Sequence, residues 1–264
     1  MAHSLHTTSR GEGQPVVMLH SGGMSSRQWK KLGDVLATSH RVVAPDFLGS
    51  GSNPPWPEGE RFDFTMDVEA VAKIVGELGQ PVHLVGHSYG GLVAMTLARR
   101  SPGSVRSVAV YDPVAFGVLH AANDVEGLTD LARNDKPIFF DLERGGSDAW
   151  FEVFVDYWNG PGSWRAMPEP ARQSFLQVGR KVFFEVYSLL QDRTAASAYA
   201  PIEAPALLLT GEASPAAAKR VAARLADSMP HGRLVQISGA GHMGPITHGA
   251  AVNEAIREHV ASAS

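Results

Sequence analysis

Apolar residues along the chain fall into two rhythms. Short, nearly unbroken runs rich in Val, Leu and Ile occur at "PVVMLH" (15–20), "RVVAPD" (41–46) and "PVHLVG" (81–86). Three more follow at "VRSVAVYD" (105–112), "PALLLTG" (205–211) and "RLVQISG" (233–239). Each is bounded by Gly, Pro or Asp, the punctuation of buried strands. Between them, Ser26–Leu36, Thr65–Leu78, Tyr89–Arg100, Ala216–Met229 and Ala250–Val260 carry apolar residues at helical spacing. Strands without polar alternation, separated by amphipathic helices, predict an α/β fold whose mostly parallel sheet is covered on both faces. No internal repeat interrupts this order.

The alternation stops between Pro113 and Pro201, where the pattern is helical throughout. Phe139 to Tyr187 holds 12 of the chain's 21 aromatic residues, so this segment is expected to carry a small core of its own. It has no strand pattern and is read as an insertion, not a second domain. Its place predicts a lid over the sheet's C-terminal edge, where open α/β sheets bind ligands. The predicted division is a core of residues 1–112 and 201–264 with a helical lid of residues 113–200. "FVDYWNGPGSW" (154–164) places Trp158 and Trp164 as pocket candidates. Trp56, in the Pro-rich loop 50–62, and Phe116 join them.

Length and charge narrow the class. The 264 residues suffice for a sizeable core, and 44% apolar with 19% charged residues is an ordinary globular balance. A formal net charge of -4 without a Lys/Arg run argues against nucleic acid or an anionic membrane as partner. The chain has no cysteine, which excludes disulfides, cysteine-zinc sites and a thiol nucleophile. No stretch reaches the roughly 18 apolar residues of a membrane span, and residues 1–15 have no apolar signal core. A cytoplasmic enzyme or binding protein is expected; oligomeric state is not legible.

Gly86-His87-Ser88-Tyr89-Gly90 fits G-x-S-x-G. It directly follows a strand pattern and opens the helical "LVAMTLARR", the strand–turn–helix setting this motif requires. A turn this sharp forces the serine towards an unfavourable backbone conformation, and glycines on either side relieve the crowding. The geometry raises the Ser88 hydroxyl above the sheet as a candidate nucleophile. It also turns the Tyr89 backbone N–H, at a helix start, towards any oxygen bound alongside.

With these residues in hand, the chain resembles the α/β-hydrolase family across nearly its whole length. "LHSGG" (19–23) resembles the family's HG-x-x loop, with Ser21 where the first glycine is usual. "PDFLGSGSN" (45–53) resembles its D-x-x-G-x-G turn, and "GAGHMGPITH" (239–248) its histidine loop. The resemblance implies a sheet cut from eight strands to seven, because only Leu5–Ser9 precede the first clear strand. It puts the lid between the sixth and seventh strands. It makes His242 the base that activates Ser88, suited by an imidazole titrating near neutrality. It assigns the oxyanion hole to the N–H groups of Tyr89 and Gly22, with Gly23 as the alternative.

The acid is less clear. Most relatives carry it three residues past the glycine ending the seventh strand, where this chain has Ser214. Asp112, after the sixth strand in the family's count, is the preferred candidate and Glu212 the alternative; Asp46 and Asp227 fit less well. Among other histidines, His20 is read as a brace of its own loop and as a possible pocket neighbour with Met243. His83 reads as a core residue, His87 as pointing away from the serine, and His248 as a cap or a packing residue. Arg27 and Arg165 are the candidates for binding a substrate carboxylate.

The resemblance implies a cofactor-independent serine hydrolase acting on a small carboxylic ester or similar acyl substrate. Lactonases, thioesterases, carbon–carbon bond hydrolases, perhydrolases and lyases of the family share the same residue set. A slow or non-hydrolytic small-molecule receptor on the same fold is the competing reading from another class.

Overall fold

The computed structural model describes residues 4–263. Seven strands form one sheet: β1 (Thr7–Arg10), β2 (Gln14–Leu19), β3 (His40–Pro45), β4 (Val82–His87), β5 (Val105–Tyr111), β6 (Ala206–Gly211) and β7 (Gly232–Ile237). Their order is β1-β3-β2-β4-β5-β6-β7. Only β1 runs antiparallel, along β3; every other neighbouring pair is parallel. The short β1 is the single strand expected at the N-terminal edge.

Side chains alternate between the two faces of each strand, and in β2 to β6 both faces are buried. The edge strands β1 and β7 are largely exposed, so the run at 233–239 is not the buried strand its apolar residues predicted; it has a neighbour on one side only. Val16 and Met18 of β2, with Val85, Ala109, Leu207 and Leu209, pack beneath α1 (Lys30–Leu36) and the C-terminal helix. Val17, Leu19, Leu84, Val108, Val110 and Leu208 face the opposite layer. That layer contains α2 (Phe64–Leu78) and α3 (Tyr89–Arg100). This accounts for strands that read as continuous apolar runs.

Between β5 and β6 the chain forms α4 (Gly117–Ala121), α5 (Val125–Leu131), α6 (Asp148–Asn159), α7 (Ser163–Ala166), α8 (Glu169–Gln177) and α9 (Gly179–Leu189). No strand occurs there among the described residues. The insertion therefore follows the fifth of seven strands, not the sixth; the expected number counted an N-terminal strand that the sheet lacks. After β6 come α10 (Ala216–Ser228), β7, α11 (Gly244–Thr247) and α12 (Gly249–Ser262).

The parallel strands all end on one side. The chain leaves β2 for β3 on one flank and β4 extends the other, so the ends of β2 and β4 border the crevice at which such sheets reverse their winding. No helix among the described residues is long and apolar enough to cross a membrane.

Candidate active site

Ser88 sits between β4 and α3 with φ 53° and ψ -115°, a conformation L-residues avoid. Its N–H is held by the Tyr111 carbonyl at 2.9 Å. The turn is possible because its neighbours lack side chains. A Cβ on Gly86 would lie 2.5 Å from the Gly90 carbonyl oxygen, and one on Gly90 2.3 Å from that of Leu19. Strand and helix backbones approach too closely there for any larger residue.

Asp112, immediately after β5, also has positive φ, at 42°. Such strain persists only where the surroundings enforce it, and it concentrates at functional sites. Here the Asp112 N–H donates to Leu209 O at 2.8 Å. The fully buried carboxyl accepts from Thr210 Oγ1 on one oxygen and from Ser214 Oγ on the other, each at 2.6 Å. Ser214, standing where most of the family places the acid, thus supports a carboxylate arriving from the neighbouring strand end.

Between these two lies His242. Its Nδ1 is 3.0 Å from Asp112 Oδ2 and its Nε2 is 3.0 Å from Ser88 Oγ. A carboxylate can only accept, so Nδ1–H donates to Asp112 and Nε2 is left to accept from the serine hydroxyl. The loop carrying His242 is pinned on both sides. Tyr111 OH donates to Gly241 O at 2.7 Å, and His87 Nε2 donates to the His242 carbonyl at 2.9 Å. His87 itself is bound through Nδ1 by Gln28 Nε2 at 3.1 Å. It points away from the serine, but its contact is with the backbone of the histidine.

Glu212 does not join this group. Its carboxylate is turned outward and accepts from Ser238 Oγ at 2.9 Å and Gly239 N at 2.8 Å, donors that lower its pKa. Of the two candidate acids, the preferred Asp112 is the one that reaches His242, and the alternative Glu212 does not. Asp46 is a turn anchor, accepting from the N–H groups of Ser26 and Ser52.

These side chains open on a cavity of about 850 Å³. Ser88, Tyr89, Gly22 and His242 form its floor; Phe116, Trp158 and Met243 also line it. Gly22 and Tyr89 adjoin, since a Cβ on Gly22 would stand 3.8 Å from Tyr89 Cβ. Gly23 does not line the cavity: with φ 74° it turns under Phe175, whose ring would lie 2.4 Å from an added Cβ.

Three expected pocket residues are elsewhere. His20 is wholly buried below the floor, with Nδ1 donating to Ser21 O at 2.8 Å and Nε2 accepting the Phe47 N–H at 3.0 Å. Burial lowers its pKa to about 4, so it remains neutral and acts as a brace for the loop. Trp56 packs edge-on against Phe62 and donates its indole N–H to Glu60 O within its own loop. Trp164 is fully buried against Phe151, with its indole N–H on Asp148. The insertion's core took one tryptophan and the cavity the other. Neither Arg27 nor Arg165 reaches the cavity; Arg165 is spent on Glu152 and Asp148, and the arginine on the wall is Arg193.

A buried charged cluster that no sequence motif marks lies beside the floor. Lys181 and Glu185 of α9 form an ion pair, and Lys181 Nζ also lies 2.7 Å from Asp67 of α2. Asp67 further accepts the Tyr89 hydroxyl at 2.7 Å and the Leu48 N–H at 2.9 Å. Burial outweighs the attraction of Lys181 and raises the Glu185 pKa to about 7. The only signal was a Lys and a Glu four residues apart within the largely apolar helix "GRKVFFEVYSL", a spacing normally read as an exposed pair.

A model of the alpha/beta hydrolase family matches residues 16–255. The chain belongs to that family. Its relatives include hydrolases of differing chemistry. It is 25% identical over 257 residues to the (E)-2-((N-methylformamido)methylene)succinate hydrolase of Acinetobacter baylyi, covering 96% of this chain and 92% of that one. It is 26% identical to the pimeloyl-[acyl-carrier protein] methyl ester esterase of Chromobacterium violaceum, over 97% of this chain and 98% of the relative. Among solved structures, a thermophilic esterase from Thermogutta terrifontis superposes with a TM-score of 0.68 at 21% identity, covering 98% and 93% of the two chains.

Proposed function

We propose that this hydrolase cleaves a small carboxylic ester or related acyl compound through an acyl-enzyme on Ser88. The observation that carries the reading is the unbroken relay from Ser88 Oγ through His242 to Asp112, two 3.0 Å contacts opening on a largely apolar cavity.

In this mechanism Ser88 Oγ attacks the substrate carbonyl carbon while its proton passes to His242 Nε2. The carbonyl electron pair moves to oxygen, and the N–H groups of Gly22 and Tyr89 hold the resulting charge, helped by the start of α3. Asp112 keeps the proton on Nδ1 beforehand and stabilises the imidazolium afterwards. Collapse of the tetrahedral adduct breaks the bond to the leaving oxygen, which takes the proton from Nε2. Water then attacks the acyl-serine, giving its proton to Nε2, and the second collapse returns that proton to Ser88. The helical insertion acts as the lid, and its apolar lining keeps bulk water from the charged intermediate.

The esterase relatives support the reaction class, and the aromatic walls suit an acyl or aryl group of modest size. The test is turnover of p-nitrophenyl esters of graded chain length together with labelling by a fluorophosphonate. Wild type should react in both assays and Ser88→Ala in neither. Equal labelling of the two proteins would defeat the proposal.

A further inference from the structure

Glu185 is 2% exposed, yet the cavity reaches it. Of its two carboxyl oxygens, Oε1 is taken by Lys181. Oε2 accepts no hydrogen bond from the described residues and faces Gly22 so closely that a Cβ there would lie 2.6 Å away. The free oxygen therefore stands against the loop that lines the floor beside Ser88.

Stability does not explain this arrangement. A buried ion pair typically contributes no more than well-packed apolar residues of the same volume. The cluster is also unbalanced: Asp67 and Glu185 share one ammonium, that of Lys181. Asp67 has its three donors from protein, leaving the shortage of donors at Glu185, on the side open to ligand. In a mostly apolar pocket, the few polar atoms left free to bond fix the orientation of what it binds.

We propose that Glu185 is the polar anchor of the acyl pocket: its Oε2 accepts a hydrogen bond from a hydroxyl or amide N–H carried one or two carbons from the scissile carbonyl. The distance follows from the neighbour, since Gly22 is the residue assigned to the carbonyl oxygen. The substrate class is thereby hydroxyacyl or acylamino compounds rather than plain alkanoates. This rests on the reading of Ser88 as nucleophile. Lys181 and Asp67 act as positioning residues that hold the carboxyl in place.

The experiment compares phenyl 2-hydroxybutanoate, phenyl 3-hydroxybutanoate and phenyl butanoate, with each kcat/KM normalised to the ester's rate with hydroxide. Binding of the same esters to Ser88→Ala is followed by tryptophan fluorescence. Assayed above pH 7, where the Glu185 carboxyl is ionised, the wild type should favour at least one hydroxy ester by about tenfold or more, mainly through KM, the size of one hydrogen bond to a charged group. Glu185→Leu should abolish that ratio and Glu185→Gln should keep part of it. If Glu185→Leu fails to fold, the Lys181→Met/Glu185→Leu double variant, which leaves no unpaired ammonium, gives the same readout. A ratio near one in wild type, or an equal ratio in wild type and variants, overturns the anchor. Turnover of all three esters without selectivity sinks the anchor alone. Selective binding to Ser88→Ala with no turnover by wild type sinks the hydrolase reading and leaves the anchor standing.

Discussion

The Trp158 indole lies nearly flat on the His242 imidazole, ring centroids 3.8 Å apart and planes inclined by 21°. A residue of the insertion is thus in van der Waals contact with the residue placed to move the proton. In the proposed mechanism the imidazole gains a proton as Ser88 attacks, and an aromatic face attracts that cation more than the neutral ring. The stack should therefore favour the transition state over the resting enzyme.

Trp158→Leu is expected to lower kcat by about 2- to 30-fold, the range of a cation–π contact between exposed and desolvated limits. Trp158→Phe should recover part of the loss. Steady-state kinetics on one aryl ester are enough to check this, and an unchanged kcat in the leucine variant would leave the stack as packing only.

The two acid candidates separate cleanly. Asp112→Asn should cut kcat by about 10³- to 10⁴-fold, because an amide facing Nδ1 favours the wrong imidazole tautomer while preserving the fold. Glu212→Gln, whose carboxylate only ties Ser238 and Gly239 together, should stay within about twofold of wild type. Paired kinetics, with circular dichroism to establish folding, distinguish them; the reverse ranking would move the acid to residue 212.

What was legible in the sequence follows from where the determinants are local. The inner strands were readable because burial on both faces leaves them nearly uniformly apolar, and α3 matched residue for residue because Ser88 must end one element and begin another. The Ser26–Leu36 segment was less faithful, forming a 3-10 turn over Ser26–Trp29 before α1. Its first turn is set by long-range contacts, Asp46 holding the Ser26 N–H and Trp29 donating to Leu19 O, which no periodicity reports. The same holds for the site. Ser88 and His242 sit in motifs, whereas the choice of Asp112 depends on Thr210 and Ser214 reaching it across strand ends. Trp158 and Trp164 are six positions apart in one aromatic run, and only packing decided which faces the cavity.

Gly90 offers a test of the elbow independent of chemistry. An alanine there would push its methyl against the Leu19 and His20 carbonyl oxygens, 2.3 and 2.4 Å away, and neither backbone can retreat without shifting β2. Gly90→Ala should lose about 1–3 kcal/mol or more in urea denaturation, the typical cost of overpacking a tight site. Gly103→Ala, where an added Cβ meets nothing within 4 Å, is the control and should be near neutral.

The buried titratable groups predict opposing pH dependences of stability. His20 and His83 have pKa values lowered by burial from 6.5 to about 4, so the folded state binds fewer protons than the unfolded chain between those limits. Their contribution is complete above pH 6.5 and is lost as pH falls towards 4. Glu185 has the opposite sign. Its pKa is raised from 4.5 to about 7, so its contribution is complete below pH 4.5 and is lost as pH rises through 7. Glu185→Gln removes that second slope without touching the first. The stability of Glu185→Gln relative to wild type should therefore grow from pH 4.5 to 7, by at most about 3 kcal/mol at one pKa unit per 1.36 kcal/mol. Urea unfolding of both proteins at several pH values measures the difference directly. A difference that stays flat over that interval would mean that burial does not outweigh Lys181, and that the carboxyl is ionised throughout.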